Sequence, residues 1–288
     1  LCGKPGVLLR RRDPAELAGS YASYFGTGLP SEIVQKYFRE PASEYLCRKC
    51  GVRIYTPDQL GEGDFYGVLS RQYDWYYQMG WDKEIAIDYL QCINARSVVE
   101  IGCGDGRFLQ KLRDCSIPAF GIDINESALA LARERGLDVR LPGEGKMEHC
   151  DVLVLFQTIE HLADPVQFLR QCMDKYRPRL TMLSAPCYET ILGHTTDPLS
   201  WPPHHRTAWS EKGFSALARF FQRSVKKVWY QPLSFDGLQW KQEREPGGRI
   251  PGIPRLPNNR MGRLAFRLLQ LLGVSWATRE HSIMVAIA

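Results

Sequence analysis

The sequence predicts an α/β protein built on a mostly parallel sheet, and three stretches predict it. SVVEIGCGDGRF occupies residues 97–108, AFGIDI residues 119–124, and VLVLF residues 152–156, followed by the polar segment QTIEHLADP. Each opens as a short apolar run rich in branched side chains, as expected for a strand buried on both faces of a parallel sheet. Each then changes abruptly to glycine or polar residues. In such folds, ligands bind at the carboxyl ends of the strands.

The first stretch organises the rest. After the strand at 97–101, Gly102, Gly104 and Gly106 make a tight turn, and Phe108, Leu109 and Leu112 follow at helical spacing. A strand–glycine turn–helix unit aims bare backbone N–H groups and a helix N-terminus at whatever sits above the strand. The spacing is G-x-G-x-G, not the G-x-G-x-x-G of dinucleotide sites, and Glu100 stands two residues ahead of the first glycine. The second strand ends in Asp123, about twenty residues past the turn, where a carboxylate can accept both hydroxyls of a ribose. Asp123 could instead cap the following helix, but Asn125 and Ser127 suit that task equally.

These three motifs, in this order across residues 98–165, resemble the class I S-adenosylmethionine-dependent methyltransferases. In particular they resemble the subgroup holding ubiquinone-biosynthesis O-methyltransferases and many sugar and natural-product methyltransferases. The resemblance implies a Rossmann-like, seven-stranded, mostly parallel sheet and S-adenosyl-L-methionine as cofactor. It also implies that Gly102, Cys103, Gly104 and Gly106 approach the methionine part and that Glu100 orders the turn near the amino group. Asp123 would hold the ribose and Ile124 would pack near the adenine. Phe156 and Gln157, where the third strand ends, join the cofactor contacts.

Composition bounds the reading. At 288 residues with 44% hydrophobic content the chain can bury a substantial core, and 37 basic against 32 acidic residues leave a net charge of +5. That mild excess suits an anionic small acceptor such as a nucleotide-sugar. It lacks the dense basic stripe of a nucleic-acid binder, so DNA is not expected and RNA is disfavoured. Nine cysteines without a disulfide-scaffold spacing suggest reduced thiols and a cytoplasmic setting. No run is apolar enough to span a membrane, and no secretory signal pattern appears. The chain opens at Leu1 without methionine, so residues upstream are expected.

Residues 1–63 do not read as part of the nucleotide fold. Their main feature is the knuckle Cys47-Arg48-Lys49-Cys50-Gly51 between two short strands. A C-x-x-C pair supplies one side of a tetrahedral zinc site. Cys2 is the best third ligand, with a further cysteine expected upstream. Relatives resembling this chain often begin with a zinc ribbon, although the long tyrosine-rich insertion between Gly3 and Tyr45 departs from a compact one. A zinc here would be structural; redox or plain cysteines are the alternatives. Arg10, Arg11 and Arg12 read as a solvated run.

Residues 64–288 read as the methyltransferase domain. The segment 64–90 is rich in aromatics, and a helix there leads into the glycine strand. Most of these rings should pack that helix on the sheet, with Tyr73 and Tyr77 the best candidates for contact with cofactor or substrate, including cation–π contact with a sulfonium. Further helices are expected over 127–135, 165–175 and 211–221, with strands over 137–141, 180–184, 224–230 and, closing the fold at the sheet edge, 281–287. Residues 234–275 form a lid or capping insertion. Within it, 234–259 lacks periodicity and reads as loop. Residues 261–272 read as an apolar helix among arginines, which could cap the site, pack on a partner (a homodimer included) or lie on a membrane surface. Core packing is the simplest of these readings.

Methyl transfer to oxygen or to a carbon acid needs a proton removed, and histidine suits this near neutral pH. His204 and His205, in the Pro-Pro-His-His loop after the fifth strand, are the preferred bases. His161, after the third motif, reads more as support for the fold or cofactor. In the ubiquinone-biosynthesis relatives, a Glu-x-x-Glu-His segment is associated with a divalent cation. Here Gln157 replaces the first acid, so no catalytic magnesium is expected.

The leading expectation is methylation of a small molecule such as a sugar, nucleotide-sugar or natural-product intermediate. Ribbon-bearing sugar C-methyltransferases usually carry a further C-terminal domain, so O-methylation weighs at least as heavily as C-methylation. The alternatives are RNA methylation assisted by the zinc module and a non-catalytic scaffold, against which the intact glycine turn and Asp123 argue.

Overall fold

The computed structural model describes residues 2, 5–72, 79–144, 149–190, 196–245, 248–250, 252–274, 279–280 and 282–288. Tyr73, Tyr77 and His281 lie outside them.

The main sheet has seven strands: β4 (Val98–Ile101), β5 (Ala119–Ile122), β6 (Val139–Arg140), β7 (Val152–Phe156), β8 (Leu180–Pro186), β10 (Val225–Tyr230) and β11 (Ser282–Ile287), in the order β10-β11-β8-β7-β4-β5-β6. β4 pairs in parallel with β5 on one side and β7 on the other, Val99 facing Phe120 and Leu153. The chain order therefore reverses direction beside β4, and a crevice opens above its carboxyl end. Every residue of β4, β7 and β8 is buried, which is why these strands read as unbroken apolar runs.

The closing strand is not at the edge. β11 is antiparallel to both β8 and β10, so the edge belongs to β10. The side chains explain this: β11 is buried throughout, whereas β10 exposes Lys226 and Lys227, which protect an open edge.

The helices begin where the capping residues stand. In α6 (Glu126–Glu134) Asn125 accepts the N–H of Ala128. In α7 (Pro165–Tyr176) Asp164 accepts those of Val166 and Gln167, with proline in the first turn. In α8 (Glu211–Phe220) Ser210 accepts that of Gly213. α3 (Gly63–Gln72), α4 (Trp81–Cys92) and α5 (Arg107–Asp114) complete the frame of the crevice.

A second sheet of four strands runs β1 (Val7–Arg12), β2 (Ala42–Leu46), β3 (Arg53–Thr56), β9 (Thr207–Ala208). Its last strand belongs to the segment after β8, so the amino-terminal region and the Pro-Pro-His-His loop share backbone hydrogen bonds, such as Tyr55 N–H to the Arg206 carbonyl at 2.9 Å. α1 (Pro14–Phe25) and α2 (Ser31–Tyr37) pack beside this sheet, joining Tyr21, Ile33, Tyr37, Phe65 and Leu199 in one buried cluster.

Two expectations for the insertion are corrected. The stretch read as loop contains α9 (Phe235–Arg244), capped by Ser234. α10 (Arg260–Leu271) is not mainly core: only Gly262 and Phe266 are buried, against the α9 side chains Phe235 and Leu238. Met261, Leu264, Leu268 and Leu271 are 51–83% exposed.

Candidate functional site

The glycine turn is held from below. The N–H groups of Gly102 and Cys103 donate to the Ile122 carbonyl at 2.7 and 3.2 Å, and the Gly104 N–H donates to Asp123 Oδ2 at 2.8 Å. Asp123 Oδ1 accepts the Asn125 N–H at 2.8 Å. Asn125, not Asp123, caps α6. Two positions of the turn tolerate only glycine. Gly102 has φ +77°, and a Cβ there would stand 2.4 Å from Thr158 Oγ1. Gly106 also has φ +77°, and its Cβ would meet Leu137 and Ala132. The Cys103 side chain is buried among Leu109 and Leu129, and burial pushes its thiol pKa up.

A cavity of about 1150 Å³ opens above this turn. It exceeds the roughly 300–1,000 Å³ of a usual small-molecule site. Gly102, Cys103, Gly104, Asp123, Ile124, Phe156 and Gln157 line it, and so do His161, His204 and His205. Ile124 is 67% exposed, an apolar shelf beside the Asp123 carboxylate. Glu100 and Gly106 stand behind the turn.

Glu100 is fully buried. Its carboxylate has no hydrogen-bond partner among the described residues but is ion-paired with Lys83 Nζ at 3.3 Å. Burial raises its pKa to about 7, and Lys83 keeps it from rising further. Burial would lower the pKa of Lys83, but Glu100 and then Asp82 outweigh it and the net shift is upward. Beside this pair, Asp82 accepts hydrogen bonds from Ser184 Oγ and from Gln157 Nε2, the latter at 3.2 Å. Gln157 has φ +47°, a strained conformation for a side chain of its size. Its amide is thus committed to Asp82 and Ser184. Asp82, Lys83 and Ser184 were not read from the sequence, because they meet only when α4 packs across the ends of β7 and β8.

The three histidines converge. Their ring centroids lie 4.4–5.0 Å apart. His161 Nδ1 lies 2.6 Å from the His204 carbonyl oxygen, and His204 Nδ1 lies 2.9 Å from that of Leu199. A carbonyl only accepts, so both Nδ1 atoms carry the proton and both Nε2 atoms keep their lone pairs. Burial lowers the pKa of His161 to about 4, and burial together with His161 holds that of His204 well below its ordinary value, so both rings are neutral near pH 7. Tyr66 Oη is 3.3 Å from His161 Nδ1. Beside them Glu160 is buried, its carboxylate 3.9 Å from His161 Nε2 and without a hydrogen bond among the described residues, and burial raises its pKa well above normal. One ring nitrogen from each histidine falls within 4.8 Å of the others. Such a trio can take up a proton or hold a divalent transition metal.

Another wall of the cavity is charged. Lys241, from α9, lines it at 4% exposure without a hydrogen bond or ion pair among the described residues. Asp197 and Glu280 line it too. Burial raises the pKa of both carboxyls, partly countered by Lys241.

Away from the cavity, Cys2, Cys47 and Cys50 bring their sulfurs within 4.8 Å of one another, with Cys2 and Cys47 at 3.3 Å. Among the described residues no fourth ligand joins them. A tetrahedral zinc with Zn–S bonds of about 2.3 Å needs sulfurs at similar spacings. Burial alone would raise the Cys47 pKa, but hydrogen bonding from the Cys50 backbone and from the other two thiols brings it down to about 7. The knuckle is tied to the start of α8 and to the segment just after β8: Ser210 Oγ and Tyr188 Oη both donate to the Gly51 carbonyl, at 2.8 and 2.7 Å.

A family model described as a methyltransferase domain matches residues 76–233, more than half of the chain. A probable S-adenosylmethionine-dependent methyltransferase of Mycolicibacterium smegmatis is 33% identical over 118 residues, 38% of this chain and 46% of that protein. A ubiquinone biosynthesis O-methyltransferase of Stutzerimonas stutzeri is 27% identical over 123 residues, 34% of this chain and 53% of that protein. A small RNA 2'-O-methyltransferase of Arabidopsis thaliana is 23% identical over 72% of this chain and 24% of its own length. The chain spans about half or less of the length of these curated relatives. Among solved structures, the methyltransferase domain of bacterial CtHen1-C is similar over 72% of this chain and 95% of that one, at 18% identity and a TM-score of 0.48. The chain belongs to the methyltransferase-domain family, within its class I S-adenosylmethionine-dependent group.

Proposed function

We propose that this protein transfers a methyl group from S-adenosyl-L-methionine to an oxygen of a polar small molecule. The reading rests on one observation: the glycine turn, Asp123 and the three histidines line a single cavity large enough for two ligands. When bound, the cofactor supplies a methyl group made electrophilic by its positive sulfur.

The residues present fit that cofactor. Asp123, already fixed by two backbone N–H groups, has acceptor capacity left for a ribose diol. Ile124 and Phe156 offer apolar surface for a base. Lys83 and Asp82, one cation and one anion on the cavity lining, suit the carboxylate and ammonium of an amino-acid end.

On the acceptor side, a neutral imidazole takes the hydroxyl proton as the methyl arrives. His204 and His205 are assigned that task, with His161 orienting them. Lys241, Asp197 and Glu280 would grip the far end of the acceptor, which favours a polar molecule such as a sugar or nucleotide-sugar over a flat hydrocarbon. Cys2, Cys47 and Cys50 are assigned a structural zinc that pins the knuckle to α8, remote from the chemistry.

A second reading has a specific observation behind it. Three imidazole nitrogens within 4.8 Å, beside the buried Glu160 carboxylate, could instead hold a divalent transition metal. One experiment separates the readings: incubation with methyl-labelled cofactor and a panel of nucleotide-sugars, phenols and short RNAs, with and without chelator, read by mass spectrometry. Label on a small-molecule oxygen, unaffected by chelator, supports the first reading. Loss of labelling with chelator, restored by added metal, supports the second. Labelling of RNA alone refutes the small-molecule assignment.

A further inference from the structure

We propose that α10 is a membrane-surface helix that docks the protein onto an anionic lipid bilayer. Seen along its axis the helix carries three rows. Gly262, Phe266 and the partly buried Leu269 face α9 and the cluster around Phe235 and Leu238. Met261, Leu264, Leu268, Leu271 and, just beyond the helix, Leu272 form a second row at positions i, i+3, i+7, i+10 and i+11. These side chains are 77%, 60%, 51%, 83% and 77% exposed. The third row is Arg260, Arg263 and Arg267, each one position ahead of an exposed apolar residue. Arg263 is ion-paired with Asp236 at 2.7 Å, whereas Arg260 and Arg267 have no ion-pair partner among the described residues.

Isolated exposed leucines are ordinary, but a continuous row of five is a surface made to be covered. The charge pattern identifies the cover. The helix holds three arginines and no acidic residue. A second copy packed along the same row would set Arg260 and Arg267 against their counterparts with no acidic residue in the helix to neutralise them. An anionic lipid surface accepts both rows at once: the apolar side chains enter the acyl boundary while the arginines meet the headgroups. The net charge of +5 adds attraction of the same sign. Among the described residues no helix is long and apolar enough to cross a membrane, so the contact is in-plane.

Flotation of the full chain with vesicles tests this, using vesicles of equal parts phosphatidylglycerol and phosphatidylcholine against phosphatidylcholine alone. The expected result is binding to the anionic vesicles at least about tenfold tighter than to the neutral ones, weakening with salt. The double substitution Leu268→Asp with Leu271→Asp, at solvent-facing positions, should abolish flotation while leaving the melting temperature and cofactor affinity unchanged. Arg260→Gln with Arg267→Gln should weaken binding by about tenfold or more. Three results would each overturn the proposal: no binding to anionic vesicles, equal binding to both compositions, or a wild-type dimer that the leucine substitutions convert to a monomer.

Discussion

His161 Nδ1 lies 2.6 Å from the backbone carbonyl oxygen of His204, which fixes a proton on Nδ1, while its Nε2 stands 3.9 Å from the Glu160 carboxylate. Desolvation holds His161 near a pKa of about 4, below its ordinary 6.5. Between these values the unfolded chain binds a proton that the folded chain refuses, so this residue lowers stability as pH falls from about 7 toward 4. Glu100, raised to about 7, acts with the opposite sign, its contribution being lost as pH rises toward 7. Comparing wild type with His161→Asn cancels that shared background. Wild type should lose on the order of 2 kcal/mol relative to the variant across this window, read by thermal melts at stepped pH. Parallel pH profiles would refute the assignment.

If an imidazole is the base, substituting it slows chemistry and spares cofactor binding. His205→Ala and His204→Ala should each reduce kcat about 10²- to 10⁴-fold, with cofactor affinity within a factor of about two by calorimetry. Should kcat hold in both variants, the proton goes elsewhere.

Lys83 and Glu100 form a pair in which neither partner is easily spared. Lys83→Met leaves the buried Glu100 without its cation and should cost roughly 3 kcal/mol in urea unfolding. Adding Glu100→Gln should restore part of that loss. A purely additive double variant would mean the two side chains are not coupled.

The knuckle should hold one zinc per chain, found by elemental analysis of protein purified without chelator. Cys50→Ser should lose the metal and lower the melting temperature by roughly 5 °C, with labelling activity at moderate temperature largely retained. Metal-free wild-type protein with an unchanged melting temperature would remove zinc from the account.

The parts of the fold legible in the sequence were those whose physics is local. β4, β5 and β7 are buried on both faces, so their apolar runs announce them, and Asn125 and Ser210 mark helix starts. α9 was hidden because Gly237 weakens the helical pattern and its buried side chains include Lys241 and Gln242, which read as polar. The exposure of α10 was hidden for the opposite reason: its leucines look like core until the structure shows that only Phe266 and its neighbours find a surface to cover.

The site divides in the same way. Asp123 and the glycines could be found by spacing, and the three histidines by their place after strands β7 and β8. Lys83, Asp82, Ser184 and Lys241 could not. Each acquires meaning from a partner on another element: α4 brings Lys83 to Glu100 and Asp82 to Ser184 and Gln157, and α9 swings Lys241 into the cavity wall.

The most direct test is isothermal titration of S-adenosyl-L-methionine into wild type and Asp123→Ala. This carboxylate both orders the turn through Gly104 and is assigned the ribose, so affinity should fall about a hundredfold while the melting temperature of the ligand-free protein changes little. Equal affinity in the two proteins would contradict the account at its base.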